Sequence, residues 1–255
     1  DDGASSAGAN LVFLIDVSGS MDDPDKLPLV KDSFATLVEG LTERDRLSVV
    51  TYASGERVLL EGVPGDDKRR IMPAVDGLVA EGSTNGEAGL EQAYRLAESS
   101  FIEGGVNRVV MASDGDLNVG ISSESELHDF VERKRETGVY LSVLGFGSGN
   151  YKDNKMETLA DHGNGAYHYV DCAEEARRVL GRNLRANLVP LADDVKIQVE
   201  FNPDRVKGYR LIGYENRALA DEEFRDDAAD AGEVGAGHAF TVAYEIVPAR
   251  SAFEA

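Results

Sequence analysis

The amino-acid sequence predicts an α/β fold: a doubly wound, mostly parallel sheet of six strands flanked by helices, with a small β-rich extension at its C-terminal end. Over about the first 190 of the 255 residues, short apolar runs alternate with segments of helical periodicity. Near-continuous apolar runs are typical of strands that are covered on both faces. Their alternation with helices is typical of a doubly wound sheet.

Six apolar runs are predicted as the strands of this sheet. The third follows the second after a four-residue turn that contains Gly55, so these two are expected to form an antiparallel hairpin. The others are joined by helices and are expected to be parallel. The predicted strands are Leu11–Val17, Leu47–Tyr52, Arg57–Leu60, Val109–Ala112, Val139–Phe146 and Ala166–Val170.

Four helices are predicted between and after these strands. The first is expected to begin with Asp23 as N-cap and Pro24 at its first position, and to end near Leu41. The second and third cover about Gly86 to Phe101 and Glu124 to Thr137. The fourth begins near Cys172, and its apolar stripe is Ala176, Val179, Leu180, Leu184 and Leu188.

The pattern changes after about Val189, which predicts three parts: a lead-in at 1–8, a main domain at 9–188 and an extension at 189–255. Three strands are predicted in the extension, and an acidic run, Asp221–Asp230, is expected to be a solvated loop. Three exposed strands need a further strand to pair with, so the extension is expected to be incomplete by itself. The predicted strands are Val195–Phe201, Arg210–Tyr214 and Ala239–Val247.

Charge and composition exclude several classes of protein. There are 26 Lys and Arg residues against 47 Asp and Glu, a net charge of −21, which argues against nucleic acid or an anionic lipid surface as partner. No apolar run is long enough to span a bilayer, so membrane insertion is not expected. The segment from Asp1 to Asn10 lacks the pattern of a signal peptide. The single cysteine, Cys172, excludes a CxxC-type zinc or redox site.

Three loops at the carboxyl ends of predicted strands carry oxygen ligands. Asp16, Ser18 and Ser20 follow the first strand, and Gly19 between the serines allows a sharp turn. Thr84 opens the second long helix, and Asp114 follows the strand Val109–Ala112. In a doubly wound sheet these loops meet at one edge. Carboxylates and hydroxyls without sulfur or imidazole suit Mg²⁺, Mn²⁺ or Ca²⁺ and disfavour zinc.

These five residues, in this order, resemble the metal-ion-dependent adhesion site (MIDAS) of von Willebrand factor type A domains. The resemblance covers roughly residues 9 to 188. Two pairs of sequence segments also resemble those of a bacterial subfamily that carries a C-terminal extension of unknown function. They are 82–90 with 113–120, and 209–219 with 231–238.

The resemblance implies a role for each ligand. The hydroxyls of Ser18 and Ser20 would bind the cation directly, Asp16 and Asp114 directly or through water, and Thr84 in only some conformational states. Water or an Asp or Glu carboxylate of a partner protein would fill the remaining position. The implied function is cation-dependent protein binding without catalysis. Such proteins are often exported or associated with the cell envelope, whereas the residues define neither compartment nor oligomeric state.

Alternatives remain at this point. The runner-up function is a Mg²⁺- or Mn²⁺-dependent hydrolase of phosphoesters, in which the cation activates water. Against it, Ser18 stands where the common Mg²⁺ phosphatases have the second Asp of a D-x-D motif. A third hypothesis is that the metal site is unused and that the extension mediates assembly. Asp22, Asp23 and Asp25 are interpreted as helix-capping residues rather than as a second cation site.

Overall fold

The computed structural model of the chain describes residues 8–115, 124–147, 153–182, 190–213, 223–225, 232–235 and 241–252. Its strands are β1 (Ala9–Asp16), β2 (Arg46–Tyr52), β3 (Glu56–Pro64), β4 (Val106–Ser113), β5 (Tyr140–Phe146), β6 (Tyr167–Val170), β7 (Pro190–Val195), β8 (Val206–Ile212), β9 (Gly232–Gly235) and β10 (Ala243–Pro248). Its α-helices are α1 (Leu27–Gly40), α2 (Lys68–Asp76), α3 (Gly86–Ser99), α4 (Glu124–Arg135), α5 (Asp153–His162) and α6 (Ala173–Ala176).

The main sheet has six strands in the order β3-β2-β1-β4-β5-β6. All neighbours are parallel except β2 and β3, which form the predicted antiparallel hairpin. The predicted fold class is therefore confirmed. The strand order reverses at β1, which lies between β2 and β4, so the carboxyl ends of β1 and β4 form the switch point where doubly wound sheets bind ligands.

Helices cover both faces of this sheet, which explains why its strands are continuously apolar. Successive residues of β1 point to opposite faces: Phe13 and Ile15 join a core with α1, α2 and the last helix, whereas Val12 and Leu14 join a core with α3, α4 and α5. The first core includes an edge-to-face contact between Phe13 and Phe34, whose ring centroids are 4.9 Å apart.

The first helix begins later than predicted. Asp23 is not its N-cap: Gly19–Asp22 form a short 3₁₀ turn, and α1 begins at Leu27 with Pro28 in its first turn. The fully buried Met21 fixes the 3₁₀ turn to the core, and the Met21 N–H donates to the Ser18 carbonyl over 2.9 Å. Pro24 and Pro28 both suit the first turn of a helix. Because Met21 packs into the core, residues 19–22 form the 3₁₀ turn, and the helix begins with Pro28 rather than Pro24 in its first turn.

Two helices of the main domain were not predicted. Pro73 lies inside α2, where it interrupts the helical pattern, and α5 is short and largely polar. The fourth helix begins after Cys172, as predicted, but it continues as a π-helical segment, Arg177–Arg182. The predicted stripe residues Leu184 and Leu188 lie outside the described residues.

The strands of the extension begin and end at residues other than those predicted. The predicted strand Val195–Phe201 is wrong, because β7 ends at Val195 and residues 196–201 are assigned to no strand, with residues 197–200 exposed. β8 and β10 overlap the other two predicted strands, with Tyr214 and residues 236–240 outside the described part. β7 pairs with β9 and β8 pairs with β10, each as an antiparallel two-stranded sheet. Of the acidic run, only residues 223–225 are described.

No helix in the described ranges is both long and apolar enough to cross a membrane.

Candidate metal centre

The site is built around Asp16, the last residue of β1. Its carboxylate is fully buried and held by three donors. Oδ1 accepts the Ser18 N–H over 2.9 Å, whereas Oδ2 accepts the hydroxyls of Tyr52 at 3.1 Å and Ser113 at 3.2 Å. Tyr52 and Ser113 are the last residues of the two strands that flank β1, so the sheet itself fixes the orientation of the carboxylate.

The two serines that follow Asp16 bring their hydroxyls together. Ser18 Oγ and Ser20 Oγ are 3.1 Å apart, and Ser18 is 1% exposed. The turn between them passes close to a second loop, because the Gly19 N–H donates to the Gly82 carbonyl over 3.0 Å. Gly82 has a φ of +82°, in the left-handed region that glycine tolerates best.

Thr84 lies on that second loop, which is hydrogen-bonded to the carboxyl ends of β1 and β2. The Glu81 N–H donates to the Val17 carbonyl and the Asn85 N–H donates to the Ala53 carbonyl, each over 2.7 Å. These two bonds bracket Thr84, which is half-buried. The backbone of Thr84 is thus held beside the serine loop.

Asp114 follows β4 directly, and its side chain is 6% exposed. It binds an ammonium group that the sequence analysis did not single out. Lys26 Nζ is 3.1 Å from Asp114 Oδ2, donates to the Ser20 carbonyl over 2.8 Å, and lies 3.4 Å from Asp23 Oδ2. The structure therefore brings the serine loop and Asp114 together through Lys26.

Burial and charge perturb the carboxylate of Asp16. Burial raises the pKa of Asp16, and the neighbouring negative charge of Asp114 adds to this, whereas hydrogen bonds from Ser18 and Tyr52 oppose it. Burial also raises the pKa of Tyr52, which therefore remains a neutral hydroxyl donor. Two carboxylates that repel each other at a buried edge favour a cation near them.

The donor set fits a hard divalent cation. Two carboxylates and the hydroxyls of Ser18, Ser20 and Thr84 come from three adjacent loops, and all are oxygen ligands. Within the described ranges no cluster of three His, Cys, Asp or Glu residues could hold a metal ion. The candidate centre therefore depends on hydroxyl ligands.

Sequence reasoning missed three residues of this site: Tyr52, Ser113 and Lys26. Tyr52 was predicted as the last residue of a strand beside β1, and Ser113 precedes Asp114, so both carried a signal. Lys26 carried none, because its contact with Asp114 joins residues 88 positions apart.

Comparison with models of known protein families assigns most of the chain to two families. Residues 10–182 match the model of the von Willebrand factor type A domain. The chain belongs to the von Willebrand factor type A (vWA) family. Residues 186–255 match a second model, described as the C-terminal region of the uncharacterized protein YfbK. The chain is thus a bacterial vWA protein with a C-terminal extension, as the sequence resemblance predicted.

Individual relatives agree with this assignment. The chain is 48% identical over 238 residues to the uncharacterized protein YfbK of Escherichia coli K12; the match covers 93% of this chain and 41% of that protein's length. Among solved structures, the fold resembles that of manganese-loaded TRAP protein of Plasmodium vivax, with a TM-score of 0.54 and 21% identity over 67% of this chain and 71% of that one. It also resembles proximal thread matrix protein 1 of the mussel byssus, solved with zinc in its MIDAS motif. That comparison gives a TM-score of 0.56 and 23% identity, over 69% of this chain and 46% of that one.

Proposed function

We propose that this vWA domain is a divalent-cation-dependent protein-binding module, in which Asp16, Ser18, Ser20, Thr84 and Asp114 hold Mg²⁺, with Mn²⁺ or Ca²⁺ as substitutes. The observation that supports it best is the 3.1 Å approach of the Ser18 and Ser20 hydroxyls beside the buried carboxylate of Asp16. These groups lie at the switch point, where doubly wound sheets bind ligands.

The charge of this ligand set suits the capture of an acidic group. Two carboxylates about neutralise a divalent ion, and hydroxyls add no further negative charge, so the bound ion would retain affinity for one more anionic ligand. We propose that this ligand is the Asp or Glu carboxylate of a partner protein. The net charge of −21 would repel such a partner elsewhere on the surface, which would concentrate recognition at the ion.

The same proposal assigns no catalytic role to the site. The groups that contact Asp16 are the Ser18 N–H and two hydroxyl donors, and the ammonium of the centre is already bound to Asp114. The alternative, a metal-dependent phosphoesterase, predicts turnover of a generic phosphoester such as p-nitrophenyl phosphate that depends on Mg²⁺ or Mn²⁺ and is lost in Asp114→Ala. Such turnover would replace the binding proposal with the hydrolase.

The domain limits and the compartment are also proposals. We assign the binding module to residues 9–188 and treat 189–255 as a separate extension. From the resemblance we place the protein in the cell envelope or outside the cytoplasm. Fractionation of cells that produce the full-length protein tests this placement, and recovery only with cytoplasmic markers would contradict it.

Thermal unfolding tests the metal site itself. The protein is unfolded in EDTA and then with Mg²⁺, Mn²⁺, Ca²⁺ and Zn²⁺ added, for the wild type, Asp114→Ala and the control Asp32→Ala, which removes an exposed carboxylate of α1. A ligand that binds only the native state stabilises it by about 2.7 kcal/mol at a hundredfold excess over Kd. The wild type and Asp32→Ala should therefore gain thermal stability while Asp114→Ala should not. An equal gain in all three proteins would show that the ion binds elsewhere.

Partner capture tests the second half of the proposal. Immobilised wild type and Asp114→Ala are exposed to a lysate of the source bacterium with Mg²⁺ or with EDTA. Proteins held by the wild type alone, and released by EDTA, are expected. A partner whose binding survives both EDTA and Asp114→Ala would favour recognition through the extension.

A further inference from the structure

Lys26 places a positive charge inside the candidate metal centre. Its ammonium lies 3.1 Å from Asp114 Oδ2 and 2.8 Å from the Ser20 carbonyl, so it connects two of the loops that carry the proposed ligands. The side chain of Lys26 is only 19% exposed. The side chain is therefore mostly covered, and its ammonium is held by hydrogen bonds to both loops.

The surrounding backbone is shaped for this side chain. The Lys26 stem packs on Gly147, directly after β5, where a Cβ atom would lie 2.8 Å from Lys26 Cε and 3.0 Å from Cγ. Gly147 has a φ of +92°, which other residues rarely adopt. Asp23 lies on the other side, with Oδ2 3.4 Å from Nζ. The Lys26 side chain is thus held in one position by contacts with Gly147, Asp23, Ser20 and Asp114.

The Lys26 ammonium and a divalent cation would compete for the carboxylate of Asp114. The ammonium already neutralises the carboxylate that the ion needs, and two cations on either side of the largely buried Asp114 carboxylate would repel each other. Hydrogen bonds between charged groups are also the strong ones, so the contact with Asp114 is costly to break. Metal binding would have to overcome both effects.

We propose that Lys26 is a built-in competitor for the metal site: its ammonium binds Asp114 in place of a divalent cation and leaves that carboxylate when the cation binds. The inference rests on the proposed metal site and adds a regulator to it. Lys26 weakens metal affinity and keeps the Asp114 carboxylate neutralised at low cation concentration. Once displaced, the ammonium adds positive charge beside the ion on the face that meets an acidic partner.

Metal titration by isothermal calorimetry tests the competition. The proteins are the wild type, Lys26→Met, which keeps the length of the side chain without its charge, and Lys26→Arg, which keeps the charge. Lys31→Met is the matched control, because Lys31 is a lysine of α1 that binds the Asp76 carbonyl away from the site. Each is titrated with Mg²⁺ and with Mn²⁺, and circular dichroism checks that each is folded.

Lys26→Met should bind Mg²⁺ at least about tenfold more tightly than the wild type, the factor expected when one charge-assisted hydrogen bond no longer has to be broken. Lys26→Arg and Lys31→Met should bind like the wild type. Metal binding by Lys26→Met alone would also support the competition. If the wild type binds metal and Lys26→Met binds with equal or lower affinity, the inference is overturned while the metal site stands. If no protein binds metal, the proposed function and the inference fall together.

Lysine labelling in the wild-type protein gives a second test that needs no folded variant. An amine-specific reagent is applied with and without saturating Mg²⁺, and mass spectrometry measures the modification of Lys26 relative to Lys31. Displacement predicts a severalfold rise at Lys26 with Mg²⁺, and no further rise in Asp114→Ala, in which the partner carboxylate is already missing. Unchanged labelling of Lys26 in wild type that has bound the metal would overturn the inference.

Discussion

The vWA sheet and the C-terminal sheets differ in what covers their strands. β4 is buried along its whole length and β1 at every residue but the first, whereas β8 and β10 are exposed at most positions. Six of the large hydrophobic side chains exposed in the described ranges lie beyond residue 190: Ile197, Val199, Tyr209, Ile212, Val242 and Ile246. In the described ranges, β1 and β4 of the vWA sheet are therefore buried on both faces, whereas β8 and β10 of the extension are largely exposed.

This difference explains where a precise site can be formed. Asp16 is oriented by hydroxyls from the strands on either side of it, and those strands are fixed by two hydrophobic cores. The extension depends instead on a small aromatic cluster, in which the rings of Phe201 and Tyr209 are 4.7 Å apart and those of Phe201 and Tyr244 are 5.2 Å apart. Isolated two-stranded sheets are at best marginally stable in water. We therefore expect the two regions to respond differently to substitution.

The largest effect is expected in the core of the vWA domain. Phe34 of α1 is 1% exposed and packs edge-to-face on Phe13. Phe34→Ala removes a buried ring and should lower the free energy of unfolding by about 3 to 5 kcal/mol, measured by urea denaturation. The matched control is Phe101→Ala, because Phe101 is 41% exposed and should cost far less. Equal losses for the two variants would mean that the apparent core does not determine stability.

A smaller effect is expected where a lysine caps the end of α1. Lys68 Nζ donates to the carbonyls of Val38, Leu41 and Gly65, and burial lowers its pKa. Lys68→Met removes this shared donor from the three carbonyls and should cost about 1 to 3 kcal/mol in urea denaturation. Arg69→Met removes an equal charge from the neighbouring exposed position. If Arg69→Met destabilises as much as Lys68→Met, net charge rather than capping is responsible.

The strands of the vWA domain were predicted well and those of the extension poorly, and both results have the same physical cause. Strands buried on both faces, such as β1, are mostly apolar, so they can be recognised in the sequence. Once the strands are recognised, the polar residues at their carboxyl ends, Asp16 and Asp114, stand out as candidate ligands. Residues 197–201 continue the alternating pattern beyond β7 but form no strand in the described part of the chain, and the pattern alone does not reveal where strand pairing ends. Lys26 illustrates a different limit, because its contact with Asp114 depends on packing between distant segments.

Loss of the aromatic cluster should affect the extension alone. Phe201→Ala removes the ring that contacts both Tyr209 and Tyr244, a loss of about 0.5 to 1.5 kcal/mol per aromatic pair. Hydrogen exchange of the β8 and β10 amides should accelerate, while the β1 and β4 amides and the urea midpoint stay unchanged. Accelerated exchange in β1 would show that the two regions unfold together, which would contradict the comparison.

The smallest effect is expected at the ion pair between Glu175 of α6 and Arg178 of the π-helical segment that follows it. Arg178 Nε donates to Glu175 Oε2 over 2.8 Å, and this bond holds the pKa of Glu175 below its ordinary value of 4.5. A carboxyl group whose pKa is lowered by folding stabilises the native state above pH 4.5, and the contribution disappears as pH falls through the lowered pKa. The pair is largely solvated, so Glu175→Gln should cost only about 0.3 to 0.5 kcal/mol at pH 7.

The pH dependence distinguishes this ion pair from a general effect of charge in a strongly acidic protein. Glu174→Gln is the control, because Glu174 is the exposed neighbour. The stability difference between wild type and Glu175→Gln should shrink to nothing when urea titrations are repeated at successively lower pH, and high salt at pH 7 should reduce it as well. In a protein of net charge −21, removing any carboxylate also relieves repulsion, so Glu174→Gln should be neutral or slightly stabilising. A Glu175→Gln variant that is as stable as Glu174→Gln at pH 7 would mean that the Arg178 contact contributes nothing to the end of the domain.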